Sequence, residues 1–192
     1  IGFARTAASL SELTGARVML DVPDVSIHPI EDLAPRLHQL IQGEVATVQQ
    51  IFTGQVSGNA LLLLDYEGAL MLTNLISPSE TQPSKQLDAS SCEVLTEVGN
   101  ILLNACLGIF GNLLKIFISF SVPRLHLDAL DGLLSSLVIG SEELHYAMLI
   151  YTGFHLRDSA VSGYLVMVLG VASLDRLLEN VDRWVNDSIL VQ

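Results

Sequence analysis

Pro23 and Pro123 stand one hundred residues apart, and each closes a short alternating apolar stretch. The same offset carries Ile1 onto Ile101, Leu13 onto Leu113 and Val22 onto Val122. Between those points apolar character is kept, Phe3 with Leu103, Leu10 with Phe110, Val18 with Ile118 and Leu20 with Phe120. A long internal period restricts the fold more than any local signal, because every element must recur in the same order.

The elements do recur. In the first half, residues 1–14 read as a helix with Phe3, Ala7, Leu10 and Thr14 on one face. Arg17 to Val22 alternates like a strand that Pro23 ends, and residues 30–41 suit a short helix. Glu44 to Phe52 and Asn59 to Asp65 flank Gly54-Gln55-Val56-Ser57-Gly58 as a hairpin, and Tyr66 to Ile76 follows as a helix. In the second half a long helix runs from about Asp88 to Leu114, and Lys115 to Val122 is a strand ended by Pro123. Leu127 to Leu137 suits a short helix. Glu143 to Leu156 and Val161 to Leu169 form a hairpin around Arg157-Asp158-Ser159, and Ser173 is placed to cap a last helix to about Asn186. The polar segment Ser77 to Leu87 joins repeat one (about 1–76) to repeat two (about 88–192).

The expected fold class is therefore α+β. One domain over 1–192 holds two tandem pseudo-symmetric repeats of helix, strand, short helix, β-hairpin and helix, with a largely antiparallel sheet packed by helices. Neither half alone would bury its apolar strands, and 192 residues suffice for one sizeable core. By the register, the first repeat's counterpart of Asn100 falls before Ile1, so the first helix is expected to extend upstream.

A net charge of −12 with only nine Lys and Arg argues against nucleic acid and anionic membrane surfaces as partners. No apolar run approaches the roughly 20 residues of a membrane-spanning helix. Cys92 and Cys106 share one expected helix, about 21 Å apart along its axis, so they cannot pair within the chain; reduced cysteines fit a cytoplasmic protein. Phosphate-binding glycine loops, C-x-x-C, H-E-x-x-H and the G-x-S-x-G elbow are all missing. The five histidines are scattered.

What remains is a stripe. Glu93, Glu97, Asn100 and Asn104 fall within a wedge of about 60° on the long helix, which is otherwise almost wholly apolar. Burying such groups without partners costs roughly 1–3 kcal/mol each, more for the charges. The stripe therefore meets solvent, is satisfied inside the fold, or is held for a partner. A plain solvated face would normally include Lys or Arg, and this one has none. A metal is not expected: carboxylate-bridged helices add Glu-x-x-His, and the residue three after Glu97 is Asn100.

Glu97, Asn100 and Pro123, with their spacing and the duplication, resemble the CheC/CheX/FliY phosphatases of bacterial chemotaxis. That family's signature runs Asp or Ser, Glu four on, Asn three further, then Pro after twenty-two intervening residues. The sequence EVGNIL looks like its second copy, and the opening IGFARTAASLSELTGARVMLDVP resembles the tail of its first. Glu93 departs from the pattern, standing where the family has Asp or Ser.

The resemblance implies hydrolysis of the aspartyl-phosphate of a CheY-like response regulator. Asn100 would orient the attacking water, since a carboxamide is no base at neutral pH but can accept from and donate to water. Glu97 would dock the receiver through a cationic side chain, and Glu93 and Asn104 would add partner contacts. The chain would need no cofactor of its own, Mg2+ belonging to the receiver. The alternative is a non-catalytic adaptor for a CheD-like deamidase or the flagellar switch, which would not need Asn100 but would need an exposed apolar or edge-strand surface.

Overall fold

A computed structural model of the chain describes residues 7–8, 11–12, 17–20, 24–77, 83–133, 144–156 and 159–189. Its strands are β1 (Val18–Leu20), β2 (Asp24–Pro29), β3 (Glu44–Gly54), β4 (Gly58–Asp65), β5 (Ile118–Phe120), β6 (Arg124–Ala129), β7 (Leu144–Leu156) and β8 (Ser159–Gly170). The helices are α1 (Leu33–Leu40), α2 (Tyr66–Ile76), α3 (Ala89–Leu114) and α4 (Val171–Ile189). A 3-10 turn, Ile30–Asp32, leads into α1, and residues 130–133 are also helical.

The eight strands among the described residues make one antiparallel sheet. The hairpins β3–β4 and β7–β8 lie side by side, joined where β4 pairs β8, with Leu62 opposite Leu165. The edge strands are exchanged: β1 and β2 of the first half pair with β7 of the second, and β5 and β6 of the second pair with β3 of the first. Edge strands recur at the sequence offset, 18–20 with 118–120 and 24–29 with 124–129. Each half thus completes the sheet of the other.

Both faces of the sheet are covered, which is why its central strands read as continuous apolar runs rather than alternations. On one face, Ala46, Val48, Phe52, Leu62, Leu64, Leu165 and Met167 pack beneath α2, α3 and α4. On the other, Val45, Leu61, Leu63, Leu149, Val166 and Val168 meet Leu33 and Leu37 of α1 and Leu130 and Leu133. His38 Nε2 donates to Asp131 Oδ1 at 2.7 Å across the rim of that second layer.

Several elements differ from the sequence reading. Residues 127–129 are the end of β6, not the start of a helix. Residues 24–29, which carry no clear local signal, form β2. In both places a six-residue segment is extended because a long neighbouring strand offers it a ladder, and local alternation that short does not signal it. The strand expected over 115–122 is confined to Ile118–Phe120, because Lys115 caps α3 in the left-handed region (φ 54°). Ser173 does not cap α4, which begins two residues earlier; its Oγ instead accepts the Ser57 N–H at 3.1 Å. Of the helix expected over 1–14, residues 7, 8, 11 and 12 are helical and the remainder lies outside the described residues. The joint at 77–87, the turn at 157–158 and residues 134–137 of the expected short helix fall wholly or partly outside them as well.

Candidate functional site

Asp88 caps the start of α3, its carboxylate accepting the Ser91 N–H at 2.8 Å. That backbone hydrogen bond, reinforced by the Ser91 side chain, holds the Asp88 carboxyl below its ordinary pKa. From this cap the helix runs 26 residues across β3 and the β5–β6 edge. Leu95, Val98, Leu102, Leu103 and Leu107 are buried against the sheet and the neighbouring helices.

Gly99 sets how closely the helix lies. A Cβ built on it would stand 2.5 Å from Val48 Cβ and Cγ1 and 2.6 Å from Cγ2. Only glycine allows α3 to rest directly on Val48. Val48 pairs with Leu125 of β6, so this contact also sets the helix against the segment that follows Pro123.

The register around Pro123 steps by one residue. Gln49 pairs with Arg124 on one side and Phe52 with Phe120 on the other, so three residues of the edge, 121–123, oppose only Gln50 and Ile51. This is a bulge of the kind a proline, lacking an N–H, is suited to. Side chains bridge the interrupted ladder. Gln50 Nε2 donates to the Ser121 carbonyl at 2.8 Å, and Ser121 Oγ accepts the Ile51 N–H at 3.0 Å. The spacing between Asn100 and Pro123 thus has a structural basis, since both are referenced to β3, through Val48 and Gln50.

The stripe lies on the side of α3 turned away from the sheet. With Glu93 as origin, the buried Val98, Leu102 and Leu95 sit at about 140° to 200°, opposite the wedge. Further along, buried Leu103 and Leu107 drift to about 280° and 320°, so the apolar arc closes on the stripe toward its C-terminal end. Exposure follows: Glu93 and Glu97 are exposed, whereas Asn100 and Asn104 are half-buried. Among the described residues neither glutamate has a hydrogen-bond or ion-pair partner. Asn104 Nδ2 donates to Asn100 Oδ1 at 2.7 Å, and Asn104 Oδ1 is buried without a partner.

The structure therefore brings all four site residues onto one face but divides them. The glutamates are open to another molecule, while Asn104 is engaged with Asn100. Sequence reasoning assigned Asn104 to partner contacts and gave no role to Gly99, Gln50 or Ser121. The one available signal was the i, i+4 spacing of the two asparagines. Among the described residues no three His, Cys, Asp or Glu side chains are gathered as a metal would need. Chemically, the face offers two free carboxylates and one carboxamide, enough to bind a cation and orient a small polar molecule, with no nucleophile of its own.

Two apolar side chains stand out at the sheet's β5 edge. Phe117 is 73% exposed and Val122 is 82% exposed, on either side of β5. No helix of the described residues is long and apolar enough to cross a membrane.

A scan against protein-family models finds no match. Solved structures do match. FliY from Thermotoga maritima is similar over 96% of this chain and 91% of its own, with 16% identity and a TM-score of 0.76. The FliM middle domain from H. pylori is similar over 93% and 91%, with 9% identity and a TM-score of 0.60. A chain in the CheX–CheY–BeF3–Mg2+ complex from Borrelia burgdorferi is similar over 88% and 96%, with 16% identity and a TM-score of 0.50. This chain has the CheC/CheX/FliY-like fold, which FliM shares.

Proposed function

We propose that this chain accelerates hydrolysis of the aspartyl-phosphate of a CheY-like receiver. The observation that carries the reading is an exposed, unpartnered Glu97 one turn before a half-buried Asn100, on the helix face turned from the sheet. An acid left without a partner is suited to a cationic side chain of a docked protein, and fixes its register. Asn100 then lies against whatever that register brings to it.

The chemistry asks little of this chain. Water attacks phosphorus, the bond from phosphorus to the aspartyl oxygen breaks, and the products are a free carboxylate and dihydrogen phosphate, which carries both of the water's protons until it loses one to solvent. No general base is needed, and Asn100 is not one. Its amide orients the water in line with the leaving carboxylate, converting a random encounter into a positioned one. Mg2+ held by the receiver would supply charge neutralisation at the phosphoryl oxygens.

The test is loss of phosphorylated receiver over time. Asn100→Ala is expected to abolish acceleration while its melting curve stays near wild type. A wild-type rate in that variant removes Asn100 from the mechanism.

A second reading is favoured by a separate observation, the apolar Phe117 and Val122 at the open sheet edge. On that reading the chain is an adaptor in a chemotaxis or flagellar-switch assembly. Pull-down of such a partner that is indifferent to Asn100→Ala but lost in Val122→Asp would support it.

A further inference from the structure

A carboxamide has two ends of nearly equal shape and opposite hydrogen-bonding character. An unanchored Asn100 would offer either end to a docked phosphoryl group, and only one of them suits a given water position. On α3 the choice is already made. Asn104, one turn on, donates from Nδ2 to Asn100 Oδ1 at 2.7 Å. The Asn100 carbonyl is thereby drawn along the helix toward residue 104. Left over are both hydrogens of its Nδ2 and the second lone pair of its oxygen.

Asn104 holds this position at a cost to itself. Its own Oδ1 is buried and has no partner, the kind of orphan that calls for an explanation in a native fold. A leucine at 104 would have nearly the same shape without the orphan, and it would extend the apolar arc of Leu103 and Leu107. An asparagine there is explained by what its other end does.

We infer that Asn104 is a positioning residue that sets the polarity of Asn100, turning the amino end of that carboxamide toward the docked acyl phosphate. The attacking water accepts from Asn100 Nδ2 through one lone pair and keeps the other for phosphorus. This rests on the reading that Asn100 orients the water. It reassigns Asn104 from receiver contact to support of a neighbouring side chain.

The experiment uses Asn104→Leu, which removes the donor and the orphan together, and Asn104→Asp, whose carboxylate accepts from Asn100 Nδ2 and turns the amide over. With phosphorylated receiver as substrate, both are expected to lower kcat about tenfold or more while KM stays within twofold of wild type. Asn104→Asp should be the slower of the two, and Asn104→Leu should melt no lower than wild type. A raised KM at unchanged kcat would return Asn104 to receiver contact and overturn the inference. If Asn100→Ala is inactive but both Asn104 variants keep wild-type kcat, the inference fails and the phosphatase reading stands. If wild type itself does not accelerate the reaction, the phosphatase reading fails. The pinning is then judged in the free protein, by 15N relaxation of the Asn100 side-chain amide. Its order should fall in Asn104→Leu, and unchanged order would overturn the inference.

Discussion

Replacing Gly99 by alanine tests the contact that seats the functional helix. Helix propensity alone says that Gly→Ala in a helix interior stabilises by about 1 kcal/mol. The packing says otherwise. The new Cβ would lie 2.5 Å from two Val48 carbons, where ordinary contact begins at 3.4 Å, so α3 must rise by 3.4 − 2.5 = 0.9 Å or Val48 must move by as much. A gap of that size under Leu95, Val98 and Leu102 forfeits about a quarter to a half of their contact energy with the sheet. Overpacking of this kind costs about 1–3 kcal/mol, which cancels or exceeds the propensity gain, so a net loss of up to about 2 kcal/mol is expected. For a chain of this length that is a fall in Tm of up to about 8 °C. Gly108 supplies the control on the same helix. A Cβ added there would meet nothing within 4 Å, so Gly108→Ala should gain about 0.5–1 kcal/mol. Urea denaturation and thermal melting of the two variants, side by side, read the opposite signs. If both alanines stabilise, Gly99 does not rest on Val48 and something else seats the helix.

Three further outcomes follow from other contacts. Glu97→Lys reverses an exposed charge, so it should change stability by no more than about 0.5 kcal/mol yet weaken receiver binding in a titration; unaffected binding would remove Glu97 from docking. Thr47, 1% exposed among the second layer's apolar residues, has a buried Oγ1 without a partner. Thr47→Val keeps its shape and should raise stability by about 1 kcal/mol in denaturant, whereas a loss would mean that the hydroxyl has a partner. The Asp88 cap has a folded-state pKa below its ordinary value, so its contribution is present above the unfolded carboxyl's pKa and disappears as pH falls through the folded one. NMR titration of its side-chain carboxyl should give a midpoint below that of an ordinary aspartate, and Asp88→Asn should keep the cap while removing that pH dependence.

The parts legible in the sequence were those whose cause is local. Helix α2 was readable because Tyr66 to Ile76 has helical periodicity and follows Asp65, whose side chain accepts the Gly68 N–H. The two hairpins were readable because turn residues stand between long apolar runs. The acid–amide stripe stood out because it interrupts an apolar helix at a fixed angle. The glutamates' exposure agreed with it, since they lie opposite Leu95, Val98 and Leu102.

The amino-acid order by itself determined a doubled α+β plan, its hairpins and the helices α1 to α4, and the face of α3 that carries Glu97 and Asn100. Only the tertiary structure decided that β2 and β6 are strands, that they cross to the opposite half's hairpin, and that Ser173 serves Ser57 rather than its own helix. It also decided that Gly99 rests on Val48 and that Asn104 turns inward to Asn100. The reason is range. A six-residue edge segment is extended only when a ladder about a hundred residues away is presented to it, and a side chain's partner depends on how far a neighbouring apolar arc drifts around the helix. Neither quantity is a property of the few residues on which it acts.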